Sequence, residues 1–262
     1  MNNIKAILLD MDGVLYRGEK AIPEAVNFMA AIAHLPHAFI TNNPILPANE
    51  IADRLERLGF QRPDHHRIIT SAEATALWLS QQKKDFRYFA VGAEGLHIEL
   101  RKYGVEDKNL ADFVVIGEGA GIDYESISTG VNLILKCGAR LICTNPDHSV
   151  DAHVNGEHYV YPGGGALVAP IAIAAETKPV FIGKPHPLLY QMAIERLAVD
   201  PVCCLMIGDR PDTDIAGAFA LGIKTALVRT GRFSPGAKLP ENLPVPDWDV
   251  GSLDLLLERI TL

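Results

Sequence analysis

Two carboxylates, Asp10 and Asp12, follow directly on the run Ile4-Lys5-Ala6-Ile7-Leu8-Leu9. Five of those six residues are apolar. A run this short, cut off by a polar turn, fits a strand buried on both faces rather than a core helix. In extended backbone, positions i and i+2 point to the same side. The strand therefore holds two acids close together, which costs energy unless a cation or a proton offsets their repulsion. The chemistry this suits is a divalent-metal site with a reactive carboxylate, and Gly13 lets the chain turn sharply behind it. Two plainer readings compete. An Asp-x-Asp-Gly start also opens calcium loops of the EF-hand kind, but those need Gly at position six and Glu at position twelve. Here Leu15 and Ala21 stand there. Alternatively Asp12 is a helix N-cap with a spare acid beside it, which the motif alone does not exclude.

The elements expected to position these groups alternate short apolar strands with helices. Ala38–Ile40 reads as a strand ending in Thr41-Asn42-Asn43-Pro44. Val180–Ile182 ends in Gly183-Lys184-Pro185, and Cys203–Ile207 ends in Gly208-Asp209-Arg210-Pro211-Asp212-Thr213-Asp214. Helices are expected from Pro23 to His34, through Ile51, Leu55 and Leu58 to a stop at Gly59, and over 188–197. Thr70 with Glu73 has the form of a capping box for a helix to Gln82. This alternation predicts an α/β fold: a doubly wound, parallel-sheet, Rossmann-like core with helices on both faces. In such sheets ligands bind outside the carboxyl ends of the strands. Asp10 and Asp12, Thr41, Lys184 and Asp209 each lie just past a predicted strand end. Singly, Gly-Lys-Pro is a turn with a solvated lysine and Thr-Asn-Asn an ordinary turn; their shared place gives them weight. Arg210 and Arg17 read as surface or salt-bridge residues. Between Asp85 and Lys178 the alternation has its own rhythm. The expected organisation is a discontinuous core, 1–84 and 179–262, with a second, smaller α/β unit, 85–178, inserted.

Bulk properties narrow the partners. The chain has 262 residues, 48% hydrophobic and 21% charged, with a net charge of −8. It reads as globular, with neither nucleic acid nor an anionic membrane as partner. An anionic substrate would need a local positive centre, a metal or a placed lysine. The cysteines Cys137, Cys143, Cys203 and Cys204 form no Cys-x-x-Cys pair, so neither a disulfide framework nor a zinc site is expected. No apolar stretch approaches the ~20 residues of a membrane span. No signal sequence is read at the N-terminus, and the location expected is cytoplasmic. His148, His153 and His158 recur at a spacing of five, which fits neither a helix face nor a strand face and argues against a second metal site. Gly117-Glu118-Gly119-Ala120-Gly121-Ile122 has Ile122 where a dinucleotide loop needs its third glycine.

Asp10-Met11-Asp12-Gly13, Thr41, Gly183-Lys184-Pro185 and Gly208-Asp209…Thr213-Asp214 resemble, in order, the four motifs of the haloacid-dehalogenase-like hydrolases. The insert between Thr41 and Lys184 resembles the class II cap of the NagD-like branch, of which Thr41-Asn42-Asn43 is characteristic. The resemblance implies a Mg²⁺-dependent phosphatase for a small phosphorylated metabolite, such as a sugar phosphate, a nucleotide or phosphoglycolate. By that resemblance Asp10 attacks phosphorus and becomes an aspartyl-phosphate, and Asp12 is the proton donor and then acceptor. Mg²⁺ is held by the Asp10 carboxylate, the Asp12 carbonyl and Asp209, with Asp214 behind them orienting waters or Lys184. Thr41, Asn42 and Asn43 bind phosphoryl oxygens and Lys184 offsets their charge. Asn145-Pro146-Asp147 and Gly163-Gly164-Gly165 are expected as substrate-facing cap turns, with Asn145, Asp147 and Gly164 as binding residues. Caps of this class often pair, so a homodimer through the cap is one expectation. Pro44 departs from the family, which usually has a hydroxyl residue there. Two other functions are compatible with the same scaffold: a phosphomutase, and a non-catalytic regulator that binds a phosphate ligand.

Overall fold

A computed structural model describes residues 4–154 and 157–260. The chain divides into two compact units. One holds the residues up to Thr41, Ala48–Ile69 and those from Lys184 onward; the other holds Asn42–Pro47 and Thr70–Gly183.

The first unit is built on a six-stranded sheet. Its order is Trp248–Val250, Lys224–Val228, Cys204–Gly208, Ala6–Leu9, His37–Thr41, Ile68–Thr70. Ala6–Leu9 is buried along its whole length, as its apolar run requires. It pairs in parallel with Cys204–Gly208 on one side and with His37–Thr41 on the other. The chain first builds outward on one side of this strand and later on the other, so the strand order reverses here. That reversal is the topological switch point at which open α/β sheets bind ligands. Register completes the placement: Leu9 pairs with Ile207 and with Phe39, so Asp10, Gly208–Asp209 and Ile40–Thr41 emerge at one edge.

The second unit has its own five-stranded parallel sheet, in the order Val180–Phe181, Arg140–Cys143, Phe113–Ile116, Arg87–Val91, Val105–Glu106. Val114, Ile116, Leu141, Cys143, Val168 and Ile171 lie in its core. Its division from the first unit falls earlier than the expected joint at residue 84. The Ser71–Gln82 helix belongs here, with Ala72, Ala74, Ala76 and Leu79 buried. Nothing in the sequence marks that joint, because the helix is capped and alanine-rich like any core helix. The Thr70 side chain accepts from the Glu73 N–H at 3.1 Å, as the capping signature predicts. An antiparallel hairpin, Ser149–Val154 with Glu157–Pro162, forms a separate two-stranded sheet. No helix among the described residues is long and apolar enough to cross a membrane.

Candidate active site

Lys184 is the centre of the site in the first unit. Its ammonium donates to Asp10 Oδ1 at 2.7 Å, to Asp214 Oδ1 at 2.7 Å and to the Ile40 carbonyl at 3.2 Å. It is only 2% exposed. Burial alone would lower its pKa, but the two carboxylates outweigh that and push it up; it is charged at any ordinary pH. Asp10 takes its place from the sheet: its backbone N–H donates to the Ile207 carbonyl at 2.9 Å. Asp214 is brought up to Gly208 so closely that a Cβ on that glycine would overlap its carboxylate. Its Oδ2 accepts from the Arg210 N–H at 3.1 Å. Asp209 Oδ2 accepts from the Arg232 N–H at 2.6 Å. Gly13, at φ +78°, is required twice over, since a Cβ there would stand 2.6 Å from Asp209 Oδ2.

Asp10, Asp209 and Asp214 are all buried, and each offers an oxygen within 4.8 Å of the others'. Against three carboxylates stands one lysine, leaving two negative charges uncompensated in a buried place. Burial raises the pKa of all three, Asp214 to about 6. For Asp209, which is raised well above the usual range, the charges of Asp10 and Asp214 add to burial. For Asp10, desolvation shifts the pKa upward, with Lys184 opposing. Hard oxygen donors with surplus negative charge suit a divalent cation, so this cluster can hold a metal. A second cluster, Asp64, His65 and His66, is exposed, and its carboxylate caps the short turn by accepting from the His66 N–H at 3.0 Å.

Asp12 differs from its neighbours. It is exposed, and Tyr16, itself buried, donates its hydroxyl to Asp12 Oδ2 at 3.3 Å. The Asp12 charge also acts on Asp10, whose pKa it helps to raise. Burial, and then the Asp12 charge, raises the Tyr16 pKa well above its usual value, so the phenol remains a donor. The Arg54 guanidinium lies 4.6 Å from the centre of the Tyr16 ring. Tyr16, Thr230, whose hydroxyl donates to the Gly13 carbonyl at 2.6 Å, and Arg232 went unread in the sequence. Only Tyr16 left a signal, an aromatic four residues past an acid in a loop. Thr41 is buried at the same sheet edge. Arg210 pairs with Asp212 at 2.7 Å, as the salt-bridge reading has it, and Arg17 donates to the Thr230 carbonyl.

The remaining expected site residues form a network within the second unit. Asn145 is fully buried, not presented on an open turn. Its Nδ2 donates to Glu118 Oε1 and to the Asn42 carbonyl, both at 2.8 Å. Asn42 Nδ2 donates to Asp147 Oδ2 at 3.1 Å, and Asn43 Oδ1 accepts from the Ile45 N–H at 2.8 Å. A Cβ on Gly164 would meet Asn145 Oδ1 at 2.9 Å; glycine lets the Gly164–Ala174 helix start against that loop. These turns also satisfy backbone groups inside the unit. The hairpin also qualifies the histidine argument, because its register pairs positions 153 and 158 directly. A spacing of five fits positions opposed on paired strands, a case that single-element faces do not cover.

The Asp10, Thr41 and Asp209 motifs thus stand at one edge of the first unit's sheet, and Lys184, which follows a strand of the other sheet in the chain, reaches Asp10 and Asp214 there. The description "haloacid dehalogenase-like hydrolase" matches residues 7–106, and a second model of the same type matches 181–251. The acid sugar phosphatase of Staphylococcus haemolyticus is 34% identical over 265 residues, covering 99% of this chain and 98% of that one. The chain belongs to the haloacid dehalogenase-like hydrolases. The dihydroxyacetone phosphatase of Corynebacterium glutamicum is 37% identical, over 86% of this chain and 80% of that protein. Among solved structures, NagD from E. coli K-12 superposes with a TM-score of 0.82 at 31% identity, covering 95% of this hydrolase and 97% of NagD. The two matched segments hold the four motifs, and the likeness to NagD over 95% of this hydrolase takes in the inserted unit as well.

Proposed function

We propose that this hydrolase is a magnesium-dependent phosphatase that cleaves small phosphomonoesters through an aspartyl-phosphate on Asp10. The observation that carries the reading is the Lys184 ammonium, 2.7 Å from both Asp10 and Asp214, with Asp209 beside them at the switch point of the sheet. Relatives that act on sugar phosphates and on dihydroxyacetone phosphate, by their names, support a substrate of that size.

In this mechanism an Asp10 carboxylate oxygen attacks phosphorus as the ester P–O bond breaks. Asp12, open to solvent at the mouth of the loop, gives its proton to the leaving oxygen. It then takes a proton from a water, whose oxygen attacks the phosphorus of the aspartyl-phosphate. The Asp10 carboxylate is released along with inorganic phosphate. Lys184 neutralises Asp10 and the charge on the phosphoryl group, and Thr41, with Asn42 and Asn43 after it in the chain, would bind the phosphoryl oxygens. Most of the rate enhancement in such transfers comes from positioning and charge. The Asp10 carboxylate, the Asp12 carbonyl and Asp209 would hold Mg²⁺, which would offset the surplus negative charge of the cluster and keep Asp10 ionised. The four cysteines are free, which suits the reducing cytoplasm.

Phosphate release from 4-nitrophenyl phosphate, a sugar phosphate and dihydroxyacetone phosphate, each with Mg²⁺ and with chelator, tests this. Turnover that requires Mg²⁺ is expected. Isomerised rather than hydrolysed product would indicate a mutase, and no reaction with any ester would overturn the reading.

A further inference from the structure

The geometry points to Tyr190 as a positioning residue for phosphoryl transfer: its hydroxyl holds the backbone of the turn that presents the Asp214 carboxylate to Lys184. The inference rests on the function proposed above. Asp214 lies in Pro211–Ile215, a five-residue π-helical turn. Both the Asp214 and the Ile215 N–H groups reach the Arg210 carbonyl, at 3.0 and 3.3 Å. Such turns are rare and take in one more residue than an α-helical turn. Tyr190, fully buried on the Leu188–Leu197 helix, donates to the Thr213 carbonyl at 2.8 Å, with the Asp214 carbonyl 3.4 Å away.

Two glycines clear the space for this arrangement. A Cβ on Gly217 would stand 2.5 Å from the Tyr190 hydroxyl oxygen and 2.6 Å from its ring. A Cβ on Gly208 would overlap the Asp214 carboxylate. Lys184 and Tyr190, six residues apart in one segment, thus grip Asp214 at its side chain and at its main chain. Tyr190 touches none of the reacting groups. Burial and the surrounding negative charges hold its pKa well above the usual value, so it serves only as a donor.

Tyr190→Phe removes the hydroxyl and keeps the ring. With 4-nitrophenyl phosphate and saturating Mg²⁺, kcat should fall roughly 5–30-fold, the range expected for a lost buried hydrogen bond of this kind, with KM within about twofold. A crystal structure of the variant should show the Lys184–Asp214 contact lengthened beyond hydrogen-bonding distance. An unchanged kcat, or a loss confined to melting temperature or KM, overturns the proposal. If the variant does not fold, Gly217→Ala, which displaces the hydroxyl, must show the same kcat-selective loss; unchanged kcat there overturns it equally. The wild type assayed alongside separates the two levels. An inactive wild type overturns the underlying function, whereas an active wild type with an unaffected Tyr190→Phe overturns only the role of Tyr190.

Discussion

Asp209 shares one lysine with two other buried carboxylates, an arrangement that burial and like charge make unfavourable for its ionised form. Because burial and like charge raise its folded pKa well above the unfolded value, the ionised form destabilises the metal-free fold at neutral pH. Asp209→Asn should therefore raise the melting temperature measured in chelator while abolishing both Mg²⁺-induced stabilisation and turnover. A variant that melts lower in chelator would contradict the electrostatic account. Tyr16 offers a second test. Tyr16→Phe removes the hydroxyl that bonds Asp12 and should cost about 1 kcal/mol of transition-state stabilisation, or roughly fivefold in kcat. An unaltered kcat would show that Asp12 needs no such support. At this scale the sequence was informative about acids and lysine, because strand ends announce them. It was silent about Thr230 and Arg232, whose partners Gly13 and Asp209 are brought to them from elsewhere in the chain.

Elements differ in how plainly they announce themselves. The central strands are apolar runs closed by polar turns, and the 188–197 helix lies where its periodicity puts it. The Tyr124–Cys137 helix opens on a capping box of Asp123 and Ser126 and ends at Gly138 in the left-handed region. The Ser149–Pro162 hairpin went unread because its second strand is exposed along its length and shows no buried alternation. The π turn at Pro211–Ile215 read as the polar end of a strand with a helix after it, since hydrogen-bond register leaves no trace in residue type. Asp123 also makes an acid-stability prediction. Backbone and side-chain donors of Ser126 hold its carboxyl below the usual range. Its contribution is therefore present above the unfolded value of about 3.9 and is lost as pH falls through the lower folded value. Asp123→Ala should melt below wild type at pH 6, and the gap should narrow as the pH falls below the unfolded value of about 3.9. A gap that stays constant would mean the cap works without its charge.

For the molecule as a whole, the doubly wound sheet and the inserted α/β unit were legible from the alternation of strands and helices. The division between the units was not, because the helix that follows Thr70 is amphipathic in no distinctive way and could pack with either sheet. The substrate is not written in the motifs. Asn145 and Asp147, expected to touch it, also hydrogen-bond within their own unit. What the chain does state is that a buried strand delivers Asp10 to a lysine and a cation-ready acidic cluster. Steady-state hydrolysis of 4-nitrophenyl phosphate by Asp10→Asn, with folding checked by circular dichroism, tests that claim most directly. The account predicts a native spectrum, with kcat at least about 10³-fold below a Mg²⁺-dependent wild type. A folded variant turning over near the wild-type rate would contradict it.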